Sequence, residues 1–212
     1  MMAISISDRT ALANAGTRVM DQSRRKELLG SPDAICIRND EMPDDWYTSF
    51  TGVLAEMWDG PLVLETFLPS NLNNILGELK GRDITVVGAN ATNIEEFAGI
   101  PDIKDCRVCI SSDDLEELFD TVIKAESLGL EHIALDPMVR NMKQCLEVCT
   151  HIKRLSETVP QARYSVVIRS WTGEYAMAMA LVASLICDPI IILEDIDDDT
   201  CEIIKTIADN IR

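Results

Sequence analysis

Imidazole is scarce in this sequence: His132 and His151 are the two histidines among 212 residues. His132 opens a β-rich run and His151 falls on the flank of a helical stripe, so neither stands at the carboxyl end of a strand. Hydrolytic and zinc-dependent chemistries that rely on histidine are therefore disfavoured. Cationic charge is short as well, with 19 Lys and Arg against 36 Asp and Glu, a net charge of −17. A duplex-binding surface needs clustered bases to displace counterions, so neither nucleic acid nor an anionic membrane is an expected partner. The longest apolar run, Tyr175–Cys187, holds 13 residues and includes Ser184, whereas a bilayer span needs about 20. The opening MMAISISDRT has no basic region leading into an apolar one, and no signal peptide is expected. Glycine-rich phosphate loops are missing too, since neither GxGxxG nor a P-loop occurs. The seven cysteines are odd in number and scattered, which fits reduced thiols in a cytoplasm.

What is present is an alternation of short β-rich runs with amphipathic helices. Seven runs read as strands: Ala34–Arg38, Leu62–Thr66, Ile84–Gly88, Arg107–Ser111, His132–Asp136, Ser165–Arg169 and Ile190–Glu194. Ala3–Ser7 is a weaker eighth. Most are continuously apolar, as in a parallel sheet covered on both faces. Helices are expected at Asn71–Leu79, Asn93–Phe97, Asp113–Leu128, Asn141–Thr158 and Thr200–Ile211. Ser111 and Ser112 are N-cap candidates for the third of these, Leu115, Leu118, Phe119 and Val122 form its apolar face, and Gly129 is placed to end it. In the fourth, Met142, Cys145, Leu146, Cys149 and Ile152 form one stripe. With no linker or compositional break, residues 1–212 read as one domain. The absence of a dinucleotide motif favours a compact TIM-type (βα)8 barrel, complete or weak at its first strand, over a doubly wound sheet.

Sites in such a barrel lie at the carboxyl ends of the strands. Those ends supply Asn39 and Asp40, Glu65 and Thr66, Asn90, Ser111 and Ser112, Asp136, Arg169 and Ser170, and Glu194 and Asp195. Each can serve as a cap or turn residue; together they could hydrogen-bond the amide edges of a heterocycle. Cys106 and Cys109 form a CxxC, but three-residue spacing along a strand sends the two thiols to opposite faces, and buried packing is the expected role. Cys145 and Cys149 share a helix face, again the core-facing one. The acidic run Glu194–Asp199 lacks the glycine and terminal glutamate of a calcium loop and reads as a solvated helix cap. The helix Glu174–Cys187 is apolar almost all round, so another segment or another protein should cover it. Tyr175, Met177, Met179 and Leu181 are its candidate interface residues.

Several segments together resemble a known family. PLVLETFLPSNLNNILGELKGRDITVVGANATNIEEF, ISSDDLEELFDTVIKAESLGLEHIALDP, HIKRLSETV and AMALVASLICDPIIILEDID are similar, in this order, to the TIM-barrel domain of corrinoid iron–sulfur protein large subunits, the gamma subunit of acetyl-CoA decarbonylase/synthase. The resemblance covers roughly Asp33 to Ile196 and implies a barrel from one-carbon metabolism. The family's clustered cysteines and corrinoid domain have no counterpart here, and Met138 stands where the family usually has glycine. The chain is thus expected to bind no cofactor alone and to meet a corrinoid (cobalamin) through a partner, either a corrinoid protein or another barrel subunit. Two roles follow from the resemblance. One is a docking subunit of a corrinoid methyl-transfer system. The other is a methyltransferase that binds a methylated tetrahydropterin and passes its methyl group to cobalt. In that second role Asn90 and Asp136 would hold the ring, supported by Asn39 and Arg169. A third role is a repurposed barrel serving assembly or regulation. No residue is singled out as catalytic or as a metal ligand.

Overall fold

A computed structural model describes residues 1–25, 32–40, 43–170, 176–194, 202–204 and 206. Eight parallel strands close into a barrel in chain order: β1 Met2–Ser7, β2 Ala34–Arg38, β3 Leu62–Glu65, β4 Ile84–Ala89, β5 Arg107–Ser111, β6 Ile133–Asp136, β7 Ser165–Ser170 and β8 Ile190–Leu193. This is a TIM (βα)8 barrel. The weak first strand is a full member and closes the ring by pairing with both β2 and β8. The expected strands are all present, with ends that shift by a residue.

Side chains alternate across each strand. Ile35, Ile37, Leu62, Leu64, Val86, Val108, Ile110, Leu135 and Ile168 point outward into the large core shared with the helices. Ala3, Ala34, Cys36, Val63, Val87, Cys109, Ala134 and Val167 point inward with Ile190 and Ile192. The interior is filled mostly by small residues, as a narrow barrel requires. Cys106 and Cys109 do separate, Cys106 into the outer core and Cys109 into the barrel.

Seven α-helices are described: α1 Leu12–Arg25, α2 Asp44–Glu56, α3 Leu72–Glu78, α4 Ile94–Ala98, α5 Leu115–Ser127, α6 Met142–Leu155 and α7 Ala176–Ile186. The sequence reading did not mark α1 and α2. Ala15 and Val19 are the buried apolar residues of α1, too thin a stripe to register. The expected Ser111 and Ser112 caps give way to Asp114, whose carboxylate accepts from Glu117 N at 2.9 Å. Ser112 instead accepts from Asp114 N at 3.1 Å and donates to Glu117 Oε2 at 2.7 Å. Gly129 ends α5 as expected, with φ +86°. On α6, Cys145, Cys149 and Ile152 are buried but Leu146 is half exposed, because the next residue along a helix turns off the stripe. Of Thr200–Ile211, residues 202–204 are helical and Ile204 packs on Met2, Ala180, Ile191 and Leu193. The rest of that segment lies outside the described residues, as do Asp195 and Asp197–Asp199 of the acidic run. No helix among the described residues is long and apolar enough to cross a membrane.

One close approach shapes the barrel mouth. β4 bulges between Val87 and Ala89, and Gly88 there has φ +125°. A Cβ on it would sit 2.1 Å from the Thr66 carbonyl oxygen, so only glycine lets the end of β4 lie against the β3 turn.

Candidate functional site

Two residues beyond the small apolar layer, the same strands carry charge. Cys36 is followed at that spacing by Arg38, Val63 by Glu65, Ala134 by Asp136 and Val167 by Arg169. The period of two therefore stacks a polar layer directly on an apolar one. Arg169 lies between two carboxylates, with Nη1 2.7 Å from Glu65 Oε1 and Nη2 paired to Asp136 Oδ2. All three side chains are at most 6% exposed. Ser111 Oγ donates to Asp136 Oδ2 at 2.8 Å, and Met138 N donates to Asp136 Oδ1 at 3.0 Å.

Around this buried triad runs an outer ring. Arg38 forks onto Asp40 through Nε and Nη2, both at 2.9 Å, and reaches Glu194 Oε1 through Nη1 at 2.7 Å. Ser7 Oγ also donates to Asp40 Oδ2. Asp8 gathers the turn after β2, accepting from Asn39 Nδ2 at 2.7 Å and Asp40 N at 2.9 Å. Trp46 Nε1 donates to the Asp8 carbonyl at 2.8 Å, which fixes the start of α2 over the mouth.

These groups enclose a cavity of about 250 Å³. Glu65 and Arg169 border it below, and Arg38, Asn39 and Asp40 form one wall. Phe67, from the turn after β3, and Met138, Val139 and Arg140, from the turn after β6, complete the lining. Met138 holds φ +48°, a left-handed conformation unusual for a long side chain.

Burial pushes the Glu65 carboxyl above the ordinary glutamate range, and Arg169 only partly offsets it. Asp40 goes the other way: partial burial would raise it, but Arg38 and Ser7 prevail and hold it low. Burial raises the Cys36 thiol, and Glu65 adds to that. Burial likewise raises Cys109, with Asp136 adding to it. These two thiols are therefore inert at neutral pH.

The sequence-level candidates divide. Asn39 and Arg169 line the cavity, and Asp136 lies just behind Arg169. Asn90 does not line it. Its Oδ1 accepts from Thr92 N and Thr92 Oγ1 at 2.9 and 2.6 Å, so it shapes the β4–α4 turn. Thr66 is likewise a turn residue, accepting from Leu68 N and Asn71 Nδ2. Arg38 was not among the expected rim residues, because at β2 these began one residue past the strand, at Asn39. It named Glu65 without choosing it, although Glu65 Oε2 has no partner described here closer than the Cys36 thiol at 3.7 Å. The signal was the alternation itself.

His132 and His151 are exposed and away from the mouth. Among the described residues, no group of three or more His, Cys, Asp or Glu is arranged to hold a metal ion. On α7, Met177 is 37% and Leu185 55% exposed. Met179 turns into the core and Leu181 is half buried. Tyr175 lies outside the described residues.

Comparisons with known proteins agree with this architecture. Residues 2–189 match the profile of the CO dehydrogenase/acetyl-CoA synthase delta subunit. The corrinoid/iron–sulfur protein large subunit of Moorella thermoacetica is 27% identical over 123 residues, covering 58% of this chain and 28% of that protein. The matched part is thus little more than a quarter of that relative's length. Among solved structures, the Yersinia pestis DHPS with a pterine–sulfa conjugate superimposes with TM-score 0.69 at 15% identity, covering 99% of this chain and 92% of the other. The 7,8-dihydropteroate synthase of Vibrio fischeri gives TM-score 0.69 at 12% identity with the same coverages. The Escherichia coli homocysteine methyltransferase gives 0.63 at 10%, covering 98% and 95%. Likeness at such identities establishes the shared barrel fold.

Proposed function

Because this chain belongs to the CO dehydrogenase/acetyl-CoA synthase delta subunit family, we propose that it is the barrel subunit of a corrinoid-dependent methyl-transfer system, docking a corrinoid protein or a related barrel subunit. The observation that carries this reading is the strand-end cavity with an apolar lip. Phe67 and Leu68 are 46% and 48% exposed at the β3 turn, and Phe67 also lines the cavity. Exposed aromatic and aliphatic groups around a polar recess are what a partner's ring or loop would cover. The outer side of α7, with Met177 exposed and Leu181 half buried, is the proposed contact with a further barrel subunit.

A second reading is favoured by the chemistry of the cavity. A tetrahydropterin presents paired N–H donors beside a carbonyl acceptor. Glu65 Oε2 can accept the donors, while Asn39, Arg38 and Arg169 can donate to the carbonyl. A cavity of about 250 Å³ is small beside ordinary ligand pockets of about 300–1,000 Å³, so it would take the bicyclic ring and leave the tail outside. The corrinoid, held by the partner, supplies the cobalt that receives the methyl group. This chain would orient the donor ring toward the mouth, with Glu65 engaged by the ring's N–H donors. Asp136 acts through Arg169 in this reading, as a positioning residue. No imidazole is needed.

The test is an anaerobic purification of the tagged chain from its host, with cobalt analysis and identification of co-eluting proteins. Near-stoichiometric cobalt together with a corrinoid-binding chain is the expected result. A cobalt-free, partnerless protein would remove the docking role. Binding of 5-methyltetrahydrofolate to the isolated chain, weakened in Glu65→Gln, would then favour the second reading.

A further inference from the structure

Met138 carries the backbone strain of the strand-end mouth. Among the described residues, two that are not glycine have positive φ, Asp102 at +61° and Met138 at +48°. A short polar residue such as Asp102 tolerates the left-handed region, whereas the Cβ of a methionine is crowded there. The turn that imposes this conformation is tied at each step. Pro137 is buried and holds Asp136 in the extended conformation of a strand end. Met138 N then donates to Asp136 Oδ1 at 3.0 Å, while the other oxygen of Asp136 takes Ser111 Oγ and Arg169. Val139 is buried in the outer core. Arg140 N donates to Gln144 Oε1 at 3.0 Å, and Asn141 caps α6 by accepting from Gln144 N at 2.9 Å. The turn therefore cannot relax without releasing either the charged layer or the start of α6. Glycine is the residue that such a backbone favours. The sequence supplies instead a long thioether, half-buried, on the lining of the cavity.

We propose that Met138 is a specificity-determining residue of the strand-end cavity, holding a flexible apolar arm against the face of a bicyclic heterocycle whose polar edge meets Glu65. This rests on the ring-binding reading above and names the group that recognises the ring's face. Strain that the surrounding structure holds in place is a mark of function rather than of packing. The rest of the lining explains why a thioether is wanted there. Arg38, Asn39, Glu65 and Arg169 offer charge and hydrogen bonds, which recognise the edge of a ring and not its faces. Phe67 comes from the turn after β3 and Met138 from the turn after β6, three strands apart in a ring of eight. A ring seated over Glu65 thus meets an aromatic group on one side and a polarisable sulfur on another. An unbranched side chain also follows the puckered half of a reduced ring, which a rigid one would not.

The test is calorimetric binding of 5-methyltetrahydrofolate to the chain without oxygen, beside thermal unfolding of the same samples. Met138→Gly should bind about tenfold more weakly than the wild type. It should nevertheless unfold at the same or a higher temperature, because the crowded Cβ is gone. Met138→Leu, which restores an apolar chain of similar volume, should come within about threefold of the wild type. A residue that only supported the fold would move affinity and stability in the same direction. Should Met138→Gly not fold, Met138→Ala carries the binding comparison, with the same loss expected. A wild type that binds no 5-methyltetrahydrofolate overturns the ring-binding reading and the proposal with it. A wild type that binds, with the truncated variant equal to it or Met138→Leu as weak as that variant, overturns the proposal alone.

Discussion

The inside of the barrel holds two neighbouring layers that obey different rules. The lower one, from Ala34 and Cys36 to Val167 and Ile192, is made of small and branched apolar side chains. The upper one, two residues further along the strands, places Arg169 between Glu65 and Asp136 and Arg38 between Asp40 and Glu194. Burial in the lower layer stabilises the fold directly. Burial in the upper layer costs desolvation that only the partner charges offset. A chain that keeps ionised groups there does so for something other than stability, and the cavity above them is the natural candidate.

The contrast predicts unequal mutational costs. Arg169→Met should be the most damaging, because it leaves Glu65 and Asp136 buried without a counter-charge, a loss of about 3–5 kcal/mol. Urea unfolding measures it, and a near-neutral result would mean that the upper layer is wetter than its burial suggests. Gly88→Ala comes next, at about 2 kcal/mol, since its Cβ would strike the Thr66 carbonyl. Ile192→Val in the lower layer should cost only about 1 kcal/mol. Asp114→Ala, a cap far from the mouth, should cost about as much, roughly 1 kcal/mol.

The smallest effect separates two carboxylates within the upper layer by their response to pH. Glu65 is raised in the folded chain, so its contribution is fully present below the ordinary glutamate pKa of about 4.3. That contribution is lost as pH rises through the raised value. Asp40 is lowered, so its contribution is present above the ordinary aspartate pKa and is lost as pH falls through the lowered value. Stability measured against pH should therefore lose its decline on the alkaline side of the carboxylate range in Glu65→Gln, and part of its acid decline in Asp40→Asn. Parallel changes in the two variants would show that the two carboxylates share one environment.

Much of this architecture was legible in the sequence. The continuous apolar runs identified the strands, and the missing glycine-rich motif pointed to a closed barrel. The polar strand ends coincide with the mouth that carries the cavity. What escaped was a matter of one residue. β2 ends at Arg38 as expected, but the residue just past the strand was chosen there, so Asn39 stood in for its inward neighbour Arg38. Asn90 lies at a strand end but turns its amide into its own loop. Asp136 is an acid of the right layer, yet Ser111, Met138 N and Arg169 already occupy its oxygens; which acid keeps an oxygen open depends on three-dimensional pairing. α1 escaped because Ala15 and Val19 are its only fully buried apolar residues, with Leu12 partly buried beside them, and Met179 because an all-apolar helix gives no phase to its buried side.

The most direct test of the account is the cobalt content of the anaerobically captured chain, wild type beside Phe67→Asp. The account predicts near-stoichiometric cobalt for the wild type and a loss of about tenfold in Phe67→Asp, the effect of roughly 1.4 kcal/mol at the docking lip. Leu146→Asp, on the exposed side of α6, should retain cobalt. A cobalt-free wild type, or full cobalt in Phe67→Asp, would contradict docking at the strand-end mouth.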